Sequence, residues 1–139
     1  MKFTRKANAQ WQGTGMEGKG TITTQSTTLD KAQLSFKTRF AEGVGTNPEE
    51  LIAAAHSGCY TMQLSFILSE SGFVPTDLAT EAVVTFEDGT ITKIHLELKA
   101  DVSGISEEEF QAAAQKAKEI CPVSKLLNAE ITLTATLAV

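Results

Sequence analysis

Two cysteines are the residues of this sequence with the clearest capacity for chemistry. Cys59 follows Gly58 in an apolar stretch, Cys121 precedes Pro122, and the sequence holds no other cysteine. A thiolate is a nucleophile and a reductant, so two thiols can form a reversible redox pair. Their separation rules out a CxxC motif, and any contact depends on the fold. Each also has a structural interpretation: Cys59 as a small buried apolar side chain, Cys121 as a helix-break residue.

Two charged residues could support a reactive thiol. Arg39 is a candidate because an arginine stabilises a nearby thiolate and its N–H donors can bind a substrate oxygen, although by default it is a solvated charge. Glu49 could hold a cation near the thiolate, but a first-turn acid in a capping box with Thr46 explains it as well. Ten residues, roughly 15 Å along a straight helix, separate Glu49 from Cys59. A direct role for Glu49 therefore requires a bend or a second subunit.

The two histidines raise the question of a metal. His56 lies three residues before Cys59, so the two side chains are neighbours on a helix. A Cys–His nucleophile pair or half of a zinc site is conceivable there. A full zinc site would need His56, His95, Cys59 and Cys121 together. Because His95 falls on the polar face of a predicted strand, where solvent exposure is the simplest interpretation, we expect no metal. His56 is assigned a structural or supporting role beside the thiol.

The region before residue 45 is typical of short strands. A glycine-punctuated turn separates residues 2–11 from residues 21–26. Residues 32–37 alternate apolar and polar side chains with a period of two, as in a half-buried strand. Arg39 is therefore expected at the end of a strand.

A long helix is predicted to carry Glu49, His56 and Cys59. Asn47 can cap it and Pro48 suits its first position, and the pattern runs to about residue 71. Its middle is apolar on most sides, and a helix that is apolar all round must be covered all round. A chain of 139 residues has little material to do this. We therefore infer that a second subunit covers part of the helix.

The second half of the chain alternates strands and helices. Asp88-Gly89 predicts a hairpin turn, and Ser106 with Glu109 forms a capping box at the start of a second helix. The last predicted strand, residues 129–139, alternates apolar residues with threonines. The sequence thus predicts one α+β domain over residues 1–139, with an antiparallel sheet, a long central helix and a second helix.

Composition excludes several classes of function. The net charge is −5, and the 12 lysines and arginines are scattered without a basic run, which argues against nucleic-acid binding. The first 15 residues hold no apolar stretch typical of a signal peptide, and we find no 18-residue apolar segment that would span a membrane. The cytoplasm is the expected compartment, where two cysteines are more often reduced or redox-active than permanently bridged.

Two stretches resemble the hallmarks of the OsmC and organic hydroperoxide resistance (Ohr) peroxidases. The first is residues 45–62, GTNPEELIAAAHSGCYTM, and the second is residues 121–124, CPVS, followed by KLL and the strand AEITL. The segments AQW, GKGT and TRF, at residues 9–11, 18–21 and 38–40, are similar to the OsmC branch. His56 also favours that branch, since Ohr proteins usually have tyrosine there. The similarity covers nearly the whole chain.

This resemblance implies an intertwined α+β homodimer with active sites at the subunit interface. It implies that Cys59 is the peroxidatic thiolate and Cys121 the resolving thiol, with Arg39 and Glu49 activating and orienting the site. Organic hydroperoxides would be reduced to alcohols through a Cys59 sulfenic acid and a Cys59–Cys121 disulfide. An external dithiol, of lipoyl type, would restore the pair, and no metal, haem or flavin is required.

Two other classes of function compete with the peroxidase. One is a non-catalytic binding or scaffold protein that has kept the fold, and the other is the zinc protein described above. The presence of both cysteines together with Arg39 and Glu49 argues against the first.

Overall fold

The computed structural model describes residues 1–138, and the chain divides into two compact units that meet between Leu51 and Ile52. The elements in chain order are β1 (Ala7–Gln12), β2 (Lys19–Thr24), β3 (Ala32–Leu34), α1 (Phe36–Phe40), α2 (Pro48–Glu70), β4 (Pro75–Glu87), β5 (Thr90–Val102), α3 (Glu107–Ile120), α4 (Pro122–Leu126) and β6 (Glu130–Leu137). The predicted α+β class is confirmed. Val139, the last residue of the final predicted strand, lies outside the described residues.

The first unit is built on an antiparallel sheet with the order β1-β2-β3. Trp11 pairs with Gly20 across β1 and β2, and a Cβ added to Gly20 would lie 2.4 Å from the indole ring. A side chain at this position would therefore displace the ring, so glycine is required by the close approach.

The strand predicted over residues 32–37 is shorter than expected, and Arg39 lies on a helix rather than at a strand end. Ser35 and Thr38 form a capping box: the Ser35 hydroxyl accepts from the Thr38 N–H at 3.1 Å, and the Thr38 hydroxyl accepts from the Ser35 N–H at 2.8 Å. This pair of bonds satisfies two N–H groups and starts α1 at Phe36. The capping box outweighs the strand periodicity that the sequence shows.

The start of α2 is confirmed, but with different capping partners. The Asn47 side chain accepts from the Glu50 N–H at 2.7 Å, and Pro48 occupies the first helical position. The Thr46 hydroxyl donates to the Glu50 carboxylate at 3.1 Å. The prediction of a capping box between Thr46 and Glu49 is therefore wrong, and Glu49 has another partner.

The second unit contains a sheet with the order β4-β5-β6. The hairpin at Asp88-Gly89 is confirmed, with φ of 48° and 80° at its two residues, as a tight turn between antiparallel strands requires. The predicted antiparallel pairing holds for β1-β2-β3 and for β4 with β5, but β6 runs parallel to β5, so this second sheet is mixed. The connection through α3 and α4 returns the chain to the end where β5 began, and such a crossover produces parallel neighbours.

The core of the second unit lies on one face of β5. The alternating apolar residues of that face, from Ile94 to Val102, are all buried. They pack in one cluster with residues of α2 and α3, which are Tyr60, Leu64, Leu68, Phe110, Ala114 and Ala117. The Tyr60 hydroxyl also donates to the Ala114 carbonyl at 3.1 Å. This bond fixes α3 against α2 inside the core.

α2 is covered on one side only. Its buried residues recur every fourth position, from His56 to Leu68, whereas Met62 and Phe66 are 63% and 61% exposed. Contrary to the expectation from sequence, α2 is long and apolar enough to cross a membrane by length and composition, with a mean hydropathy of 1.2. The core helix of a soluble protein passes the same test, so this property alone does not indicate a membrane.

Candidate active site

The fold of the second unit brings the two cysteines into contact. Cys59 lies on α2 and Cys121 at the junction of α3 and α4, and their Sγ atoms are 3.1 Å apart. Both are free thiols. Because the sulfurs of a disulfide lie about 2.05 Å apart, a two-electron oxidation could join them after roughly 1 Å of further approach. The question that the sequence left open, whether the two thiols meet, is thus answered by the tertiary structure.

Cys121 is held by the backbone on both of its sides. Its N–H donates to the Ala117 carbonyl at 2.9 Å, which ends α3, and its carbonyl accepts from the Lys125 N–H at 3.0 Å in α4. The predicted break is confirmed: the residue before Pro122 adopts φ −55° and ψ 123°, outside the helical region. The Cys121 side chain is fully buried in the core cluster. Its position is therefore determined by two helices at once.

The surroundings of Cys59 favour the thiol over the thiolate. Burial raises the pKa of Cys59, and the Cys121 thiol raises it further, mainly through the hydrogen bond between the two sulfurs and to a smaller extent through charge repulsion. The Val123 N–H opposes this shift by hydrogen-bonding the sulfur, which lowers the pKa. The net direction is upward. A nucleophilic Cys59 therefore needs positive charge in addition to these three influences.

His56 bonds to α4 rather than to a thiol. Its Nε2 lies 2.7 Å from the Ser124 hydroxyl, and its Nδ1 is buried with no hydrogen-bond partner in the described part of the chain. Burial lowers the pKa of His56, so the ring is neutral at neutral pH. Ser124 belongs to the CPVS motif, but nothing in the sequence identified its partner. The sequence assigned no role to Ser124.

Arg39 and Glu49 meet in the first unit. Arg39 donates from Nη2 to the Glu49 carboxylate at 2.8 Å and from Nε at 3.1 Å, a two-pronged geometry that orients the guanidinium. Glu49 is largely buried and Arg39 is 41% exposed. Arg39 borders a cavity of about 310 Å³ whose wall includes Phe36 and Phe40. A guanidinium beside aromatic rings can receive a polar atom and an apolar group together.

His95 does not join the other candidates. The sequence suggested solvent exposure, but the side chain is half-buried and its Nδ1 lies 2.6 Å from the Thr132 hydroxyl, with Glu97 3.2 Å from Nε2. It projects from the face of β5 opposite to the one that packs on the cysteine cluster. The four zinc ligands considered above therefore do not assemble. Within residues 1–138, no group of three or more His, Cys, Asp or Glu could hold a metal ion.

Comparison with known proteins identifies relatives over nearly the full length. The family model of OsmC-like proteins matches residues 41–136. The chain is 46% identical over 137 residues to the peroxiredoxin OsmC of Escherichia coli K12, covering 96% of each protein. It is 31% identical over 102 residues to an organic hydroperoxide resistance protein of Xanthomonas axonopodis pv. citri, covering 70% of each. The structure is similar to that of OhrB from Bacillus subtilis, with a TM-score of 0.71, 26% identity and 98% of each chain covered.

We expect Cys121→Ala to lower the pKa of Cys59 relative to the wild-type protein, because the variant removes the neighbouring thiol while the Val123 N–H remains. The measurement is the rate of Cys59 alkylation by iodoacetamide against pH, with the modified peptide identified by mass spectrometry. Since the thiolate is the reacting form, the half-maximal rate should move to lower pH. Cys59→Ala provides the background rate of alkylation at Cys121. An unchanged pH profile of Cys59 alkylation in Cys121→Ala would show that the Cys121 thiol does not raise the pKa of Cys59.

Proposed function

The chain belongs to the OsmC-like protein family, and on that basis we propose that it is a thiol-dependent peroxidase that reduces organic hydroperoxides to alcohols. The observation that carries the proposal is the 3.1 Å contact between the sulfurs of Cys59 and Cys121. The names of the relatives, a peroxiredoxin and an organic hydroperoxide resistance protein, support a peroxidase-type oxidoreductase. A thiol pair at this distance supplies the two electrons that reduction of a peroxide requires.

The proposed reaction begins with attack of the Cys59 thiolate on the terminal oxygen of the hydroperoxide. The O–O bond breaks, the alkoxide takes a proton to become the alcohol, and Cys59 becomes a sulfenic acid. Cys121 then attacks the Cys59 sulfur, the S–O bond breaks, and water leaves as the disulfide forms. Two electrons from an external dithiol, which we propose to be of lipoyl type, return both cysteines to thiols. No metal or prosthetic group takes part in these steps.

We propose that Arg39 supplies the positive charge that Cys59 requires. The surroundings of Cys59 raise the pKa of its thiol, so a cation is needed to populate the nucleophile at neutral pH. Glu49 would position the guanidinium through its two-pronged hydrogen bond. The aromatic walls of the cavity beside Arg39 would favour an organic hydroperoxide over hydrogen peroxide, because burying its organic group against these walls removes apolar area from water.

We further propose that the active protein is a homodimer with its active sites at the subunit interface. The support for this is the exposed apolar side of α2, where Met62 and Phe66 face solvent in the single chain. Covering this surface removes apolar area from water, which is the main force of subunit association. The proposed location is the cytoplasm, whose reducing conditions keep two such cysteines as thiols between turnovers.

Cys59→Ser should abolish consumption of cumene hydroperoxide when dihydrolipoamide is the reductant, since a serine hydroxyl cannot form the sulfenic acid. Cys121→Ser should still react once with peroxide but form no intramolecular disulfide.

The wild-type protein should consume cumene hydroperoxide faster than hydrogen peroxide. Full turnover by Cys59→Ser would disprove the mechanism. No turnover by the wild-type protein with any dithiol, although both thiols titrate as free, would instead support the binding or scaffold alternative.

Arg39→Met should reduce the second-order rate constant of Cys59 with cumene hydroperoxide by about 10–100-fold, because the variant loses both the charge and the donors that stabilise the transition state. The same variant should move the pH dependence of Cys59 alkylation to higher pH, since the thiolate loses a stabilising charge. Lys37→Met, which removes an exposed cation from the same helix, is the matched control. Equal rates for the two variants would remove Arg39 from the site.

The wild-type protein should have a native mass of twice the 14.9 kDa chain at micromolar concentration, as measured by light scattering after size-exclusion chromatography. Replacement of both Met62 and Phe66 by glutamate should shift the protein to the monomer, because charge on the apolar side of α2 opposes its burial. Val74→Glu, at an exposed apolar residue outside α2, should leave the dimer intact. A monomeric wild-type protein would refute the proposed assembly.

A further inference from the structure

A hydrogen bond that has no part in the proposed electron transfer joins α2, which carries Cys59, to α4, which begins directly after Cys121. The His56 ring is fully buried on α2, and its Nε2 lies 2.7 Å from the hydroxyl of Ser124 on α4. His56 precedes Cys59 by one helical turn, and Ser124 follows Cys121 by three residues. The bond between His56 and Ser124 therefore runs beside the contact between the two sulfurs.

α4 depends on such contacts for its position. It contains five residues, none of them buried, and no side chain caps its start within the described residues. A single turn of helix is not stable by itself in water, so its place is determined by what it touches. Yet α4 and its first flanking residue supply both partners of the Cys59 sulfur, which are the Cys121 thiol and the Val123 N–H.

The buried imidazole makes the bond to Ser124 hard to replace. The Nδ1 atom of His56 already lacks a hydrogen-bond partner among the described residues, so Ser124 is the partner of its other nitrogen. Without the hydroxyl, the ring would be buried with neither nitrogen bonded, which is costly for a polar group. The ring or α4 would have to move toward water. A movement of α4 would carry Cys121 away from Cys59.

We infer that Ser124 and His56 are positioning residues for the resolving step: their hydrogen bond holds α4 against α2 so that Cys121 reaches the Cys59 sulfenic acid before a second peroxide does. The inference rests on the proposed peroxidase function. In the resolving step the S–O bond of the sulfenic acid breaks, the S–S bond forms, and the hydroxyl leaves with the Cys121 thiol proton as water. Delay at this point exposes the sulfenic acid to oxidation by another peroxide to the sulfinic acid.

The test follows both steps in the reduced full-length protein after mixing with cumene hydroperoxide. Quenched samples are analysed by mass spectrometry for Cys59 thiol, disulfide and sulfinic acid. Ser124→Ala should slow disulfide formation about tenfold relative to the wild-type protein. The rate at which the Cys59 thiol is lost should stay within about twofold of the wild-type rate. Sulfinic acid should form at a peroxide concentration about tenfold lower than in the wild-type protein. Ser124→Thr, which keeps the hydroxyl, should restore the wild-type ratio of disulfide to sulfinic acid at Cys59. Ser103→Ala, at an exposed serine, is the matched control.

Two variants at His56 test the same bond from its other end. His56→Leu should match Ser124→Ala, and the double variant should be no slower than either single variant, because both remove one interaction. His56→Gln, which keeps a donor near the Nε2 position, should form the disulfide faster than His56→Leu. Equal rates for the glutamine and leucine variants would overturn the inference, and this comparison stands even where Ser124→Ala does not fold.

Other outcomes separate this inference from the proposed function. Wild-type disulfide formation in a folded Ser124→Ala protein would overturn the positioning role and leave the peroxidase intact. Equal slowing of both steps would also overturn it, since that result indicates general damage. If the wild-type protein does not react with peroxide, the proposed function fails, and diamide is then used to oxidise the thiols directly. Slower diamide-driven disulfide formation in Ser124→Ala would still support the role, and equal rates would refute it.

Discussion

The break in the helix at Pro122 is the constraint on which the cysteine pair depends. Proline disfavours a helical conformation at the residue before it, so α3 ends and α4 begins at Cys121. The Tyr60 hydroxyl on the Ala114 carbonyl fixes α3 against α2, which determines the height along α2 at which the break occurs. Two causes therefore place Cys121 beside Cys59. Pro122 ends α3 at Cys121, and packing in the core determines where α3 lies against α2.

The direction of β6 follows from the same connection. The chain leaves the end of β5, passes through α3 and α4 on the side of the sheet where α2 packs, and returns to form a parallel strand. A direct hairpin between β5 and β6 would have given an antiparallel sheet but would have left α2 without α3 and α4 beside it on that face. The crossover therefore places Cys121 and Ser124 next to α2 and makes a thiol pair possible in a chain without a CxxC motif.

The electrostatics of the chain divide between its two units. The thiol pair lies in an apolar cluster, where burial and the hydrogen bond with Cys121 raise the pKa of Cys59. The ion pair of Arg39 and Glu49 belongs to the first unit, where the capping box at Ser35 starts the short helix that carries the arginine. A neutral thiol is a poor nucleophile, whereas the proposed peroxidase reaction requires the thiolate of Cys59. The proposed function therefore depends on positive charge reaching Cys59, and the proposed dimer supplies the interface for it.

The sequence by itself determined most of the local structure: the start of α2 at Asn47 and Pro48, the hairpin at Asp88-Gly89, and the break at Pro122. These features depend on interactions between near neighbours, which residue type and spacing reveal. Residue type identified both cysteines as candidates and the resemblance to a known family implied their roles, but only the tertiary structure decided that their sulfurs touch and that His56 bonds Ser124. Those contacts join residues more than sixty positions apart. The parallel direction of β6 and the half-buried position of His95 beside Thr132 were likewise decided by packing between distant elements, which no local pattern records.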